Sequence, residues 1–259
     1  MNKKNDKIYK ILELSTKWFQ ENLEKSNICI QYLKKRNLSD ETIKYFKLGY
    51  SFNSEKTLYE FLKEQNFDDN EIIESNVVKV DKNNKFRDFF YNRLMFPITN
   101  EYGKIVGFGG RVLDKSNPKY INSPESDFFK KRNILYNLSN SKQIIRTKKN
   151  MLICEGYMDV ISLYNKNIKT AVAPLGTSLT DNHLLLSWKY VNKPTVMFDA
   201  DTSGLKASFK SAIMSLPHLS PSKLLQFIIL PSEYDPDTFI NEFSLKEFAK
   251  YLKNPLSIV

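Results

Sequence analysis

Three short apolar runs in the second half of this 259-residue chain lead into acid. Residues 151–154 (MLIC) run straight into Glu155. Residues 195–198 (TVMF) run into Asp199, Ala200 and Asp201. Residues 224–230 (LLQFIIL) are followed within one turn by Asp235 and Asp237. A further run, 170–173 (TAVA), lies between the first two. Runs this short read as strands, and the segments between them (158–165, 181–190 and 204–215) carry helical spacing. Strands that alternate with crossover helices build an α/β fold, a parallel sheet with helices on both faces. Such a sheet binds its ligands at the carboxyl ends of its strands. Glu155, Asp199, Asp201, Asp235 and Asp237, with Asp159 one helical turn beyond Glu155, are thereby predicted to converge on one edge.

Like charges held close repel and raise one another's pKa. A hard divalent cation such as Mg²⁺, which prefers carboxylate and water oxygens, removes that penalty. One Glu with an Asp-x-Asp pair suits one or two such ions, and two ions can activate a hydroxyl and stabilise a leaving pyrophosphate in phosphoryl transfer. Each acid also has a plainer reading. Asp201 or Thr202 could cap the helix opening at Gly204, Asp159 could be a first-turn acid on the helix dipole, and Asp235-Pro236 is ordinary turn chemistry. Capping accounts for any one cluster; three clusters on successive strand ends favour metal.

The net charge of +10 lies wholly in the first part of the chain. Residues 1–150 hold 29 Lys and Arg against 19 Asp and Glu, and the remainder holds ten of each. Within 104–149 there are 11 basic and 3 acidic side chains. Charge concentrated in this way attracts phosphate backbones; solubility in a lysine-rich background is the plainer reading. The chain has no apolar run long enough to span a membrane and no signal-peptide core, so a cytoplasmic protein is expected. Two cysteines, Cys29 and Cys154, and two histidines, His183 and His218, have no short ligand spacing. That excludes a standard structural zinc site, and the cysteines read as buried thiols.

The first 75 residues read as short helices: one over 7–24, a second capped by Ser26, a third opened by Ser39 and ending near Gly49, and two more over 56–64 and 69–75. Residues 94–98 and 105–113 read as paired strands around a turn at 100–103. The three glycines of the second strand imply bulges or a close backbone approach. Residues 114–133 read as a basic loop, and a helix is expected over 141–149. Charge and pattern together put a boundary between 1–148, a basic α+β region, and 149–240, the acid-bearing sheet, with 241–259 beginning a helical part.

These residues resemble a known family. CEGYMDVI at 154–161 is similar to the EGYMD signature of the bacterial DnaG-type primases, which carry a Toprim fold. AVAPLGTSLT at 171–180, FDADTSG at 198–204 and the span from Leu230-Pro231 to Asp235-Pro236-Asp237-Thr238 resemble the family's following elements. Upstream, RLMFPI at 93–98, GFGGR at 107–111, PKYINSPE at 118–125 and LYNL at 135–138 resemble its basic subdomain, and Leu38–Glu41 and Leu48–Tyr50 fit its N-terminal helices. The resemblance implies a Toprim domain preceded by a basic α+β subdomain, and a primase catalytic core that makes short RNA primers on single-stranded DNA. It implies Glu155, Asp199 and Asp201 as catalytic acids. It implies Mg²⁺ or Mn²⁺, two or more ions, on Glu155, Asp159, Asp199, Asp201, Asp235 and Asp237. Arg93, Arg111, Lys119, Asn122 and Lys131 would hold template and nucleotide phosphates. The implied partners are single-stranded DNA, ribonucleoside triphosphates, an RNA–DNA hybrid product and a replicative helicase.

Some features depart from the family pattern. Ala200 stands where a glycine is usual, and Phe89 and Tyr91 stand where many members carry Arg. The zinc-binding module and the helicase-binding tail have no counterpart in the sequence, which reads as a catalytic-core fragment. Other readings of the acids are a Toprim nuclease or topoisomerase fragment, a non-enzymatic nucleic-acid-binding remnant, and a haloacid-dehalogenase phosphatase with Asp199 as nucleophile. The last would leave Glu155 unexplained.

Overall fold

The computed structural model describes residues 3–52, 56–176 and 178–258. The chain forms two compact units, 1–129 and 130–259. The segment 130–148, basic like the residues before it, packs with the second unit.

In the first unit α1 (Lys3–Lys25) repeats apolar residues at helical spacing, and Ile8, Ile11, Leu12 and Phe19 are buried along one face. Ser15 and Thr16 lie within that face, and their hydroxyls turn back to the carbonyls of Ile11 and Leu12 at 2.8 Å; their polarity is satisfied inside the helix. Four short helices follow from their caps. Ser26 opens α2 (Asn27–Lys35), Ser39 opens α3 (Asp40–Tyr45), Thr57 opens α4 (Leu58–Glu64) and Asp68 opens α5 (Asp69–Glu74). The last two are completed by Glu60 and Glu71 reaching back to the cap backbone. The third helix ends earlier than its sequence suggests, because β1 (Gly49–Ser51) leaves it to pair with a distant strand. A hairpin of β2 (Val78–Val80) and β3 (Phe86–Asp88) precedes the main one.

The main hairpin joins β4 (Arg93–Thr99) and β5 (Ile105–Val112) in antiparallel register, with a bulge at Ile98/Thr99. Its turn depends on Asn100, whose Oδ1 accepts from the N–H groups of Tyr102 and Lys104, and on Gly103 at φ +83°. A short β6 (Tyr120–Asn122) adds to the free edge of β5 within what reads from sequence as loop, giving the order β1-β4-β5-β6. Two glycines of β5 are required by close approach rather than by bulging. A side-chain carbon at Gly110 would lie 2.8 Å from the Phe90 ring, and one at Gly107 would lie 3.1 Å from Ser123.

The second unit opens with α6 (Leu138–Lys148) and then alternates β7 (Leu152–Ile153), α7 (Tyr157–Asn165), β8 (Ala171–Val172), α8 (Asp181–Ser187), β9 (Thr195–Val196), α9 (Thr202–Ser215), β10 (Gln226–Phe227) and α10 (Pro236–Glu242). Strands β8, β7, β9 and β10 are parallel neighbours in that order. Met151, Ile153, Val172, Val196, Phe198 and Phe227 share a core with Leu138 and Ile145 of α6 and Leu184 of α8. Alternate strand residues point to the opposite face, where α7 and α10 pack against each other. Beyond α10 lies α11 (Leu245–Lys253), within the same compact unit. The chain then returns as β11 (Leu256–Ser257), antiparallel on the edge of β10. Cys29 and Cys154 are buried free thiols.

Gly49 lies where α1 crosses β1, and a side-chain carbon there would come within 2.4 Å of Phe19 Cβ. Gly49→Ala must push the helix off the strand. It should cost about 1–3 kcal/mol, read as a lower urea midpoint with an unchanged denaturant slope.

Candidate metal and nucleic-acid sites

The strand register places the acids at one level. Ile153, Val196 and Phe227 are paired across β7, β9 and β10. All three chains leave the sheet in the same direction, so Glu155, Asp199 and Asp235 emerge from the same edge. The loops then lock together. The N–H of Met197 donates to the Ile153 carbonyl at 2.9 Å, and the N–H of Ala200 donates to the Tyr234 carbonyl at 2.9 Å. Glu155, Asp199 and Asp235 therefore follow strands that end at one edge of the sheet.

Three of the carboxylates are held by backbone N–H groups and a fourth by side chains. Asp159 Oδ2 accepts from Gly156 N at 2.9 Å. Asp201 Oδ1 accepts from Gly204 N at 2.7 Å and caps α9. Asp235 Oδ1 accepts from Thr238 N at 2.6 Å and caps α10. Asp237 is 2% exposed; its Oδ1 accepts from Ser162 Oγ at 2.5 Å and from Asn241 Nδ2 at 3.0 Å, which ties α10 to α7. Asp201 and Asp235 thus serve as helix caps, and the cap bonds fix where their carboxylates stand.

Two of these carboxyls are shifted upward, chiefly by burial. Burial pushes the Asp159 carboxyl well above the ordinary aspartate range, and the charges of Asp199, Asp235 and Asp237 push it further against the opposing Gly156 N–H. Glu155 reaches solvent, yet desolvation by the surrounding loops raises its carboxyl. The Asp199 N–H lowers it and Asp201 raises it again. Among the described residues no three His, Cys, Asp or Glu side chains gather closely enough to cage an ion by themselves. The donor set nevertheless fits a hard cation, being all carboxylate oxygen and electrostatically strained. Mg²⁺ is commonly held by one or two carboxylates with water and substrate phosphate rather than by a protein cage.

The basic residues of the first unit divide into two kinds. Arg93 is 8% exposed and donates from Nη1 to the carbonyls of Pro118 at 3.0 Å, Gly110 at 3.4 Å and Lys119 at 3.5 Å. It pins the segment that carries Lys119 rather than meeting solvent itself. Arg111 lies between the rings of Tyr32 and Tyr120, 5.3 and 5.2 Å from their centroids, and donates to Tyr120 Oη at 2.7 Å. Its Nε–H is buried without an acceptor, and among the described residues no carboxylate pairs with it. A half-buried guanidinium so placed favours an anion from outside. Lys119 is exposed, and Asn122 lies on β6 opposite Gly109. Lys131 belongs to the second unit, in a single 3-10 turn over Lys131–Asn133. The aromatic bracket of Tyr32 and Tyr120 is not visible in sequence; only the pairing of Arg111 with Tyr120 across β5 and β6 reveals it.

The chain is similar to known proteins along nearly its whole length. The family described as the DNA primase catalytic core, N-terminal domain, matches residues 18–142, and a Toprim-like family matches residues 152–240. The DNA primase of Buchnera aphidicola subsp. Acyrthosiphon pisum is 34% identical over 255 residues, which is 98% of this chain and 44% of that relative. The chain thus spans less than half the length of that relative. The structure of the DnaG primase catalytic domain bound to ssDNA superposes with a TM-score of 0.87 at 31% identity, covering 98% of this chain and 80% of that one. The Aquifex aeolicus primase, solved as its zinc-binding and RNA polymerase domains, gives 0.91 at 32% identity and covers 100% of this chain and 63% of that one.

A carboxyl whose folded pKa lies above its unfolded value contributes stability below the unfolded pKa, and that contribution is lost as pH rises through the folded pKa. Asp159 and Glu155 both shift upward. The metal-free chain should therefore lose stability as pH climbs from the ordinary carboxylate range through neutrality. Asp159→Asn keeps the acceptor for Gly156 N but cannot ionise. It should melt higher than the parent at neutral pH and flatten the decline, as followed by thermal unfolding in chelator.

Proposed function

This chain belongs to the bacterial DnaG-type primase catalytic-core family, and on that premise we propose that it joins ribonucleotides into short RNA primers on a single-stranded DNA template. The observation that carries the reading is the parallel pairing of β7 with β9, in which the N–H of Met197 donates to the Ile153 carbonyl at 2.9 Å, so that Glu155 and Asp199 each follow two residues later on adjacent strands. That arrangement brings together the acids of two sequence-distant motifs. Mg²⁺ or Mn²⁺, two or more ions, would supply activation of the primer 3′-hydroxyl and stabilisation of the leaving pyrophosphate. Glu155, Asp199 and Asp201 would hold the ions. Asp159, Asp235 and Asp237 shape the field around them, and Asp237 acts through its bonds to Ser162 and Asn241.

Arg111, Lys119, Asn122 and Lys131 would take template and nucleotide phosphates, with Arg93 holding Lys119 in place. A related catalytic domain has been solved bound to ssDNA, which supports the same partner here. Ribonucleoside triphosphates, an RNA–DNA hybrid product and, for the longer protein, a replicative helicase complete the set. The reading divides the chain by role into basic residues 1–148, metal-binding residues 149–240 and the start of a further part at 241–259. Among the described residues no helix is long and apolar enough to cross a membrane, and replication in the bacterial cytoplasm is the setting this reading assigns.

The test is ribonucleotide incorporation on single-stranded DNA, with Mg²⁺ or Mn²⁺ and with chelator. Synthesis should require the metal. Glu155→Gln and Asp199→Asn should fold and lose synthesis on the order of 100-fold or more; full product yield from either removes the metal assignment. Nicking of DNA without synthesis would favour a hydrolytic Toprim enzyme instead. Arg111→Ala and Lys119→Ala should each reduce the salt dependence of DNA binding by about one phosphate contact, as measured by titration over a salt series.

A further inference from the structure

His183 is 0% exposed in the first turn of α8 and is used by nothing described so far. The N–H of Thr180 donates to its Nδ1 at 3.3 Å, and the N–H of His183 donates back to Thr180 Oγ1 at 3.3 Å. A ring nitrogen that accepts a hydrogen bond carries its lone pair there, so the ring proton lies on Nε2. Nε2 stands 2.9 Å from the carbonyl of Lys131. Two more bonds grip the same turn: Thr180 Oγ1 donates to the Arg132 carbonyl at 3.2 Å, and Asn182 Nδ2 donates to Asn133 Oδ1 at 2.8 Å. Three successive residues of a basic turn are thus each held from α8, while the turn has no side-chain cap of its own. Burial lowers the His183 pKa, against the pull of the Lys131 and Ile134 carbonyls, and keeps the ring in the neutral form this geometry needs.

We propose that His183 is a positioning residue whose Nε2–H holds the Lys131 carbonyl and so fixes the turn Lys130-Lys131-Arg132 to receive phosphate. Capping α8 requires only Nδ1; the bond from Nε2 does nothing for the helix. A run of three cations repels itself, and ordering it on binding would cost affinity that a preformed turn retains. The inference rests on the reading above that Lys131 meets phosphate, whether of template or of nucleotide.

Asn and Gln separate the two jobs of the ring, because the Asn amide reaches only as far as Nδ1 and the Gln amide reaches as far as Nε2. The test uses the full chain and measures the affinity for an oligothymidylate strand and the KM and kcat for ribonucleotide incorporation. His183→Asn should weaken one of the two phosphate readouts by about 3- to 10-fold, the worth of one hydrogen bond, with the loss in Kd or KM rather than in kcat. A loss in Kd assigns the turn to template, and a loss in KM assigns it to nucleotide. His183→Gln should recover to within about twofold. Lys131→Ala should weaken the same readout, and adding His183→Asn to it should weaken it no further. If Lys131→Ala changes neither readout, the phosphate reading of the turn fails. If Lys131→Ala weakens binding and His183→Asn does not, the positioning role is overturned. Should His183→Asn not fold, Asn182→Ala on the exposed side of the same grip replaces it, and unchanged binding in that variant overturns the proposal.

Discussion

Burial disfavours the charge of two carboxylates at the strand ends of the second unit, and bonds from the surrounding loops hold the acids in place. Asp159 and Glu155 both carry raised pKa values, and neighbouring acids contribute to each shift. The opposing bonds are local and made of backbone: Gly156 N on Asp159, Gly204 N on Asp201 and Thr238 N on Asp235. These are charge-assisted bonds, stronger than neutral ones. Each uses an N–H that a helix start or strand end leaves unsatisfied. The same geometry that ends a strand and opens a helix therefore supplies the donor that aims an acid.

The basic residues of the first unit follow a related logic with the sign reversed. Arg93 is buried but satisfied by carbonyls, so it can be structural. Arg111 is held between two rings and receives no carboxylate among the described residues. Stacking fixes the guanidinium without neutralising it, which leaves its charge for a partner. Two arginines on adjacent strands of one hairpin thus have different fates, decided by whether β6 and the segment before it offer carbonyls or aromatic faces.

What was legible in the sequence is what depends on neighbours a few residues away. Caps at Ser26 and Ser39 opened helices as their chemistry requires, and the acid-ended strands fell into a parallel sheet. The strands β1, β2, β3 and β6 were not legible, because each has only three residues to show a pattern, and β1 exists only through distant pairing, as Gly49 does with Met95. The fate of Arg93 depends on carbonyls up to 26 residues away. Helix α9 shows the same limit from another side. Its buried positions are Gly204, Ser211 and Ser215, while Leu205, Phe209 and Ile213 are exposed. A reading that sends the apolar stripe inward would turn this helix the wrong way.

The two small residues after β9 show which constraint the site imposes. Ala200 stands where the family usually has glycine, and the substitution at first suggests a loss of backbone freedom. Ala200 is not among the residues with positive φ, and its N–H is bonded to Tyr234, so a methyl group is compatible with its conformation. The glycine that cannot be replaced is Gly204, where a side-chain carbon would lie 2.1 Å from the Asp199 carbonyl oxygen. The first turn of α9 has to approach Asp199 that closely for Gly204 N to reach Asp201. Close approach, rather than flexibility between the aspartates, is therefore what this loop demands. It joins the position of Asp199 to the cap on Asp201, so that neither acid can shift without the other.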